Sequence, residues 1–149
     1  MSFKHQLSGT LETNGYTKDG LLIQNYVTGV CTSSENLVPW LTVWRQIGYI
    51  DIPHAGTWQL DGIVRWNCSG HSTHWLAFLS WSTTSAAAGA NGNSATHNAG
   101  NIDAIYFRPC QAIFTTSGSQ RIYLNGMGGH ASGGTITIED AVLRAFRIQ

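Results

Sequence analysis

Nowhere along this chain do apolar residues recur at the three-to-four spacing of an amphipathic helix. They come in short β-branched and aromatic runs, separated by clusters of Gly, Ser, Asn and Pro. The runs predict nine strands, over residues 20–29, 40–45, 49–52, 56–66, 75–81, 104–115, 120–124, 134–138 and 141–148. Many short strands between turn signals fold as a sandwich or barrel. The segment Ile52-Pro53-His54-Ala55-Gly56 reads as a tight corner, because proline fixes φ and glycine tolerates a left-handed turn. A chain of 149 residues is one domain's length. The predicted core includes Trp58, Leu60, Val64, Leu76, Phe78, Ile122, Leu124, Ile136, Ile138 and Phe146.

Two strands are apolar on both faces. In 75–81, Trp75, Ala77, Leu79 and Trp81 share one face, and Leu76 and Phe78 lie on the other. Around 40–45, Trp40 and Trp44 oppose Leu41 and Val43. A strand with one wet face alternates apolar with polar, so both faces here need cover from a strand layer, a loop or another subunit. Open tryptophans would form a sticky patch. Trp40, Trp44, Trp75 and Trp81 are therefore candidate subunit-interface residues. Residues 83–101 (TTSAAAGANGNSATHNAGN) offer no side chain to anchor a core and are expected to form a long loop that is functional, ordered by a partner, or disordered.

Charge excludes several partners. Eight basic and eight acidic side chains cancel, and only 11% of residues are charged. No basic stripe is present to neutralise phosphates, so nucleic acid is not an expected partner. A surface this poor in charge favours self-association. No apolar run approaches the roughly 18 residues of a membrane span, and the opening MSFKHQLSGTLETNG lacks the apolar centre of a signal peptide. The expectation is synthesis in a cytoplasm without membrane insertion. The three cysteines, Cys31, Cys68 and Cys110, form no C-x-x-C pair and read as free thiols.

The order of elements then resembles a known family. Ile50-Asp51-Ile52-Pro53-His54-Ala55-Gly56-Thr57-Trp58-Gln59-Leu60 is similar to the strand, proline corner and Ala-Gly-aromatic strand of jelly rolls related to tumour necrosis factor and complement C1q. The stretches 119–126, 133–138 and 143–148 resemble that family's last three strands. The resemblance covers Trp44 to Gln149. It implies a jelly-roll β-sandwich whose final strand ends inside a sheet, assembled as a homotrimer through aromatic faces. The division it implies is an N-terminal arm or first strand over 1–40, serving docking or interface, and a jelly-roll domain over 41–149.

Within that architecture, low charge and Gly/Ser/Asn-rich loops resemble trimeric bacteriophage virion proteins. The implied function is a tail-fibre or tail-tip head that recognises a host glycan. The alternatives are a capsid decoration protein that stabilises the particle, and a carbohydrate-binding lectin outside any virus. Only about 40 residues precede Trp44, short for a fibre shaft, which favours decoration among the alternatives. The implied location is the virion, with other virion proteins and host cell-surface polysaccharide as partners.

Catalysis finds no support. No G-x-S-x-G elbow or Cys/His motif occurs, and Glu139 and Asp140 are neighbours whose side chains diverge along a strand. No enzyme activity and no cofactor are expected. His71-Ser-Thr-His74 has metal-like spacing but sits in a predicted loop, and only a distant residue such as His97 or His130 could complete it, so surface histidines are the simpler reading and no metal site is assigned. Gly126–Gly134 looks like a phosphate loop, yet a strand rather than a helix follows it, and it reads as a flexible hairpin. Sugar binding suits the composition better, since aromatic faces stack on pyranose rings while Asn and His bond their hydroxyls. The candidate glycan-binding residues are Trp75, Trp81, His71, His74, Asn91, Asn93, His97, Asn125 and His130.

Overall fold

The computed structural model describes residues 14–16, 22–24, 26–31, 43–69, 74–89, 91–99, 104–130 and 135–149. Within these, backbone alone is described for 14–16, 22–24, 68, 74–77, 91–99, 104–108 and 129–130. The described residues form strands β1 (Asn14–Tyr16), β2 (Leu22–Gln24), β3 (Tyr26–Thr28), β4 (Val30–Cys31), β5 (Arg45–Ile52) and β6 (Gly56–Ser69). They continue with β7 (His74–Ser82), β8 (Asn91–Ala99), β9 (Ala104–Thr116), β10 (Gln120–His130) and β11 (Thr135–Arg147).

The protein is all-β, built on two antiparallel sheets. One has the order β4-β5-β10-β7-β8 and the other β3-β11-β6-β9, while β1 and β2 pair as a separate hairpin. From β5 onward the chain changes sheet at each turn except between β7 and β8. Strand β8 runs along β9, the edge of the other sheet.

Alternation decides what lies between the sheets. On β6, Trp58, Leu60, Val64 and Trp66 point inward and are wholly buried. They meet Ile50 and Ile52 of β5, Leu79 and Trp81 of β7, Ile122 and Leu124 of β10, and Ile136 and Ile138 of β11. Each buried tryptophan removes on the order of 150–250 Å² from water, so Trp58, Trp66 and Trp81 dominate this core. Gly62 makes room for them: a Cβ there would lie 2.9 Å from Leu124 and 3.1 Å from the Trp81 ring.

Several expectations need correction, each for a local reason. Strand β5 begins at Arg45, four residues before the expected 49–52, while of the expected strand 40–45 Val43 and Trp44 lie in no strand and 40–42 lie outside the described residues. The register to β10 shifts by one residue between Gln46 and Gly48, so the strand bulges at Ile47 and burial passes from Ile47 to Ile50 and Ile52. Gly48 beside it is closed in, because a Cβ would lie 2.5 Å from the Val30 carbonyl. Strand β11 replaces 134–138 and 141–148: Glu139 bulges out, and the buried positions change from Ile136 and Ile138 to Leu143 and Ala145.

The expected 83–101 loop divides into a turn over 83–89 and strand β8, whose main chain completes the edge of β7 despite its Asn- and Gly-rich sequence. The expected hairpin at 126–134 is in part strand too, since Gly126 to His130 pair with β7. On β7 the core face is that of Leu79 and Trp81, so Phe78 is only half-buried, as is Phe146 on β11. The Leu76 side chain lies outside those described.

Candidate functional site

Of the glycan-binding set expected from sequence, Trp81 and Asn125 are wholly buried. Trp81 is wholly buried between the sheets, and its indole N–H donates to the Cys110 carbonyl at 3.0 Å. Neither a sugar nor a second subunit reaches it, so both roles expected for Trp81 are withdrawn. Asn125 is wholly buried as well. Its Nδ2 donates to the carbonyls of Thr84 (3.0 Å) and Ala87 (2.8 Å), and its Oδ1 accepts from the Ala86 N–H at 3.0 Å. Both N–H donors of that amide are engaged in holding the 83–89 turn, and its burial keeps it from a ligand.

Backbone register brings some of the remaining set together. Trp75 stands opposite His130 on one side and Asn98 on the other, with His97 opposite the neighbouring Leu76. His74 pairs with Ala99, Asn93 with Ser80, and Asn91 with Trp81. The side chains of Trp75, His74, Asn91, Asn93, His97 and His130 lie outside those described, and His71 and Trp40 lie outside the described residues altogether. Trp44 sits half-buried just before β5.

Two surfaces that sequence reading passed over are better defined. The first is the outward face of the four-stranded sheet. Register aligns Val142, Ile63 and Pro109 across β11, β6 and β9. The next row is Arg144, Asp61 and Gln111, and the one beyond it Phe146, Gln59 and Ile113. Ile113 is 59% exposed, Ile63 46% and Val142 44%, so apolar side chains in the middle of a sheet stand in water. Asp61 Oδ1 accepts from Gln59 Nε2 (3.2 Å) and Gln111 Nε2 (2.9 Å), which fixes a polar band between the apolar rows. Tyr26 and Phe146 close one end, with ring centroids 5.1 Å apart.

The second is the outward face of the five-stranded sheet. Its middle is roofed by the 83–89 turn. Besides the Asn125 contacts, Ser80 Oγ accepts from Gly89 N–H at 2.8 Å, Ser82 Oγ accepts from Thr84 N–H at 3.1 Å, and Ser85 Oγ donates to Gln46 Oε1 at 2.7 Å. Beyond the roof the face is open. Val30, Tyr49 and Tyr123 align across β4, β5 and β10, and Asp51 faces Arg121 in the next pair. Arg121 donates twice to the Asp51 carboxylate, Nε to Oδ1 at 2.7 Å and Nη2 to Oδ2 at 2.8 Å. Its guanidinium carbon lies 3.8 Å from the Tyr49 ring centroid. The hydrogen bonds from Arg121 hold the Asp51 carboxyl below its ordinary value of 3.8, against a smaller opposing effect of burial. The same contact pushes the Arg121 pKa further up.

The chain matches no protein-family model and no curated protein sequence.

Alternation along β6 was a usable signal for the first surface: Asp61, Ile63 and Arg65 share the face opposite Leu60 and Val64. No local signal marked the second surface, since Arg121 and Asp51 meet only through the pairing of β5 with β10.

Proposed function

We propose that this protein is the jelly-roll subunit of a homotrimeric surface protein of a bacteriophage particle, whose outer face recognises a glycan of the host cell. The sheet orders support the jelly roll. Strands β3, β11, β6 and β9 face β5, β10, β7 and β8, giving eight strands in two sheets with β4 as an addition, and β11 lies inside its sheet between β3 and β6. The observation that carries the oligomer is the row Val142–Ile63–Pro109 with Ile113 beyond it. An apolar patch at the centre of a sheet face is the kind of surface another protein covers. A chain with so little charge has few groups to keep copies of that face apart. Trimeric order and the virion setting rest on the family resemblance.

Adsorption separates this reading from particle decoration. Purified chain is incubated with bacterial envelope polysaccharide and, separately, with assembled phage particles, and the bound fraction is measured. Retention on polysaccharide is expected. Retention on particles alone would replace host recognition with decoration.

A further inference from the structure

We propose that the open end of the five-stranded sheet, centred on Tyr49, Tyr123, Asp51 and Arg121, is a binding platform for a neutral pyranose glycan. This deepens the host-glycan reading above and rests on it. The inference starts from where these four side chains stand. Ile50 and Ile52 of β5, like Ile122 and Leu124 of β10, point into the core and are buried. Alternation therefore sends Tyr49, Asp51, Arg121 and Tyr123 to the outside of adjacent strands, in directly paired positions.

Chemistry narrows the ligand. Tyr123 offers an apolar ring with a polar tip, suited to the C–H face of a sugar ring and the hydroxyls at its rim, while the Tyr49 ring carries the Arg121 guanidinium. The tyrosine pair is flanked on one side by the Asp51–Arg121 pair. Arg121 and Asp51 remain 46% and 58% exposed, so their outer edges face solvent. That edge sets guanidinium N–H donors beside carboxylate lone pairs. A hydroxyl both accepts and donates, and two adjacent ring hydroxyls can engage both partners at once. Pairing also sets the charge: with Arg121 neutralised by Asp51, nothing among the described residues at this spot favours an anionic sugar such as a sialic acid or a uronate.

The platform is held rigid before any ligand arrives. Two hydrogen bonds fix the guanidinium in the plane of the carboxylate, and stacking on Tyr49 fixes its height above the sheet. Little side-chain freedom is left to lose on binding. Along the strands the platform gives way to the roofed part of the sheet, where Ser85 is bonded to Gln46 and the exposed Thr83, Thr84 and Ser85 provide further polar groups. A shelf bounded in this way suits an extended saccharide chain rather than a single buried sugar.

The test is saturation-transfer NMR on the whole chain with two probe sets: neutral glucose-, galactose- and mannose-based oligosaccharides, and sialylated or uronate-containing ones. Saturation transfer to a neutral ligand is expected, with no stronger transfer to the acidic set. Tyr123→Ala is expected to weaken it about ten-fold or more. Asp51→Asn, an exposed change that leaves the core untouched, is expected to weaken it as well. Solution mass and circular dichroism of each variant should match the parent. Two outcomes overturn the platform: parental affinity retained in both Tyr123→Ala and Asp51→Asn, or preference for the acidic ligands. If the parent then still adsorbs to envelope polysaccharide, only the platform has failed. If the parent adsorbs to no saccharide at all, the host-glycan reading falls with it.

Discussion

The outward faces of the two sheets are made by the same alternation, yet they end in different chemical states. On the five-stranded sheet the protein finishes its own surface. Seven residues of turn fold back over Ser80, Ser82 and Asn125, and the open remainder carries a neutralised ion pair and two tyrosines. On the four-stranded sheet nothing among the described residues folds back over Ile63, Ile113 and Val142, which remain about half exposed. An outward position can be polar and wet, roofed by the chain itself, or apolar and half exposed, and this sandwich holds all three within two sheets.

Substitutions can break or sharpen that contrast, and the largest effect belongs to the layer both faces share. Trp81→Ala should cost about 3–5 kcal/mol in a denaturant titration, because it empties the space beside Gly62 and frees the Cys110 carbonyl. A loss below about 1 kcal/mol would mean that Trp81 is not the core residue described. Next comes the roof. Asn125→Ala leaves the carbonyls of Thr84 and Ala87 and the N–H of Ala86 without their partner, and should cost about 2–3 kcal/mol. Amide exchange over 83–89 should accelerate in that variant more than exchange in β6.

Smaller effects follow at the surface. Ala86 holds φ at 52°, a left-handed conformation that strains a side chain. Ala86→Gly should therefore raise stability by about 0.5–1 kcal/mol in the same titration, with the turn otherwise intact. The smallest change is Asp51→Asn, worth at most about 1 kcal/mol for so exposed a pair. Its signature is in pH. The Asp51 carboxyl is held below 3.8 in the folded chain, so its contribution is present above that value and is lost as pH falls through the lowered one. Urea midpoints of parent and variant should differ at pH 7 and converge in acid.

Much of the fold was legible in the sequence because period-two alternation survives wherever a strand runs straight. Strands β6, β7 and β9 lie within a few residues of their expected bounds, and Trp58, Leu60, Val64, Ile122, Leu124, Ile136 and Ile138 are buried as expected. Legibility failed at the two bulges. Ile47 and Glu139 each shift the buried parity by one residue, which cuts the expected β5 short and makes β11 read as two strands. It failed again at β8, where a sequence without β-propensity is held by the main chain of its neighbour. The candidate sites were less legible still. Asn125 and Trp81 look like exposed recognition residues until their long-range partners are known, thirty to forty positions away in the chain. The outward position of Ile63 on β6 could be read from alternation alone, whereas the apolar row across three strands exists only in the register.

The central claim is that the outward face of the four-stranded sheet is buried against further copies of this chain. The most direct test is the solution mass, by light scattering during size exclusion, of the parent and of the double variant Ile63→Asp/Val142→Asp. The parent should show three times the 16.2 kDa of one chain, and the variant a single chain with unchanged circular dichroism. A parent of one chain's mass, or a variant that stays trimeric, would contradict the claim.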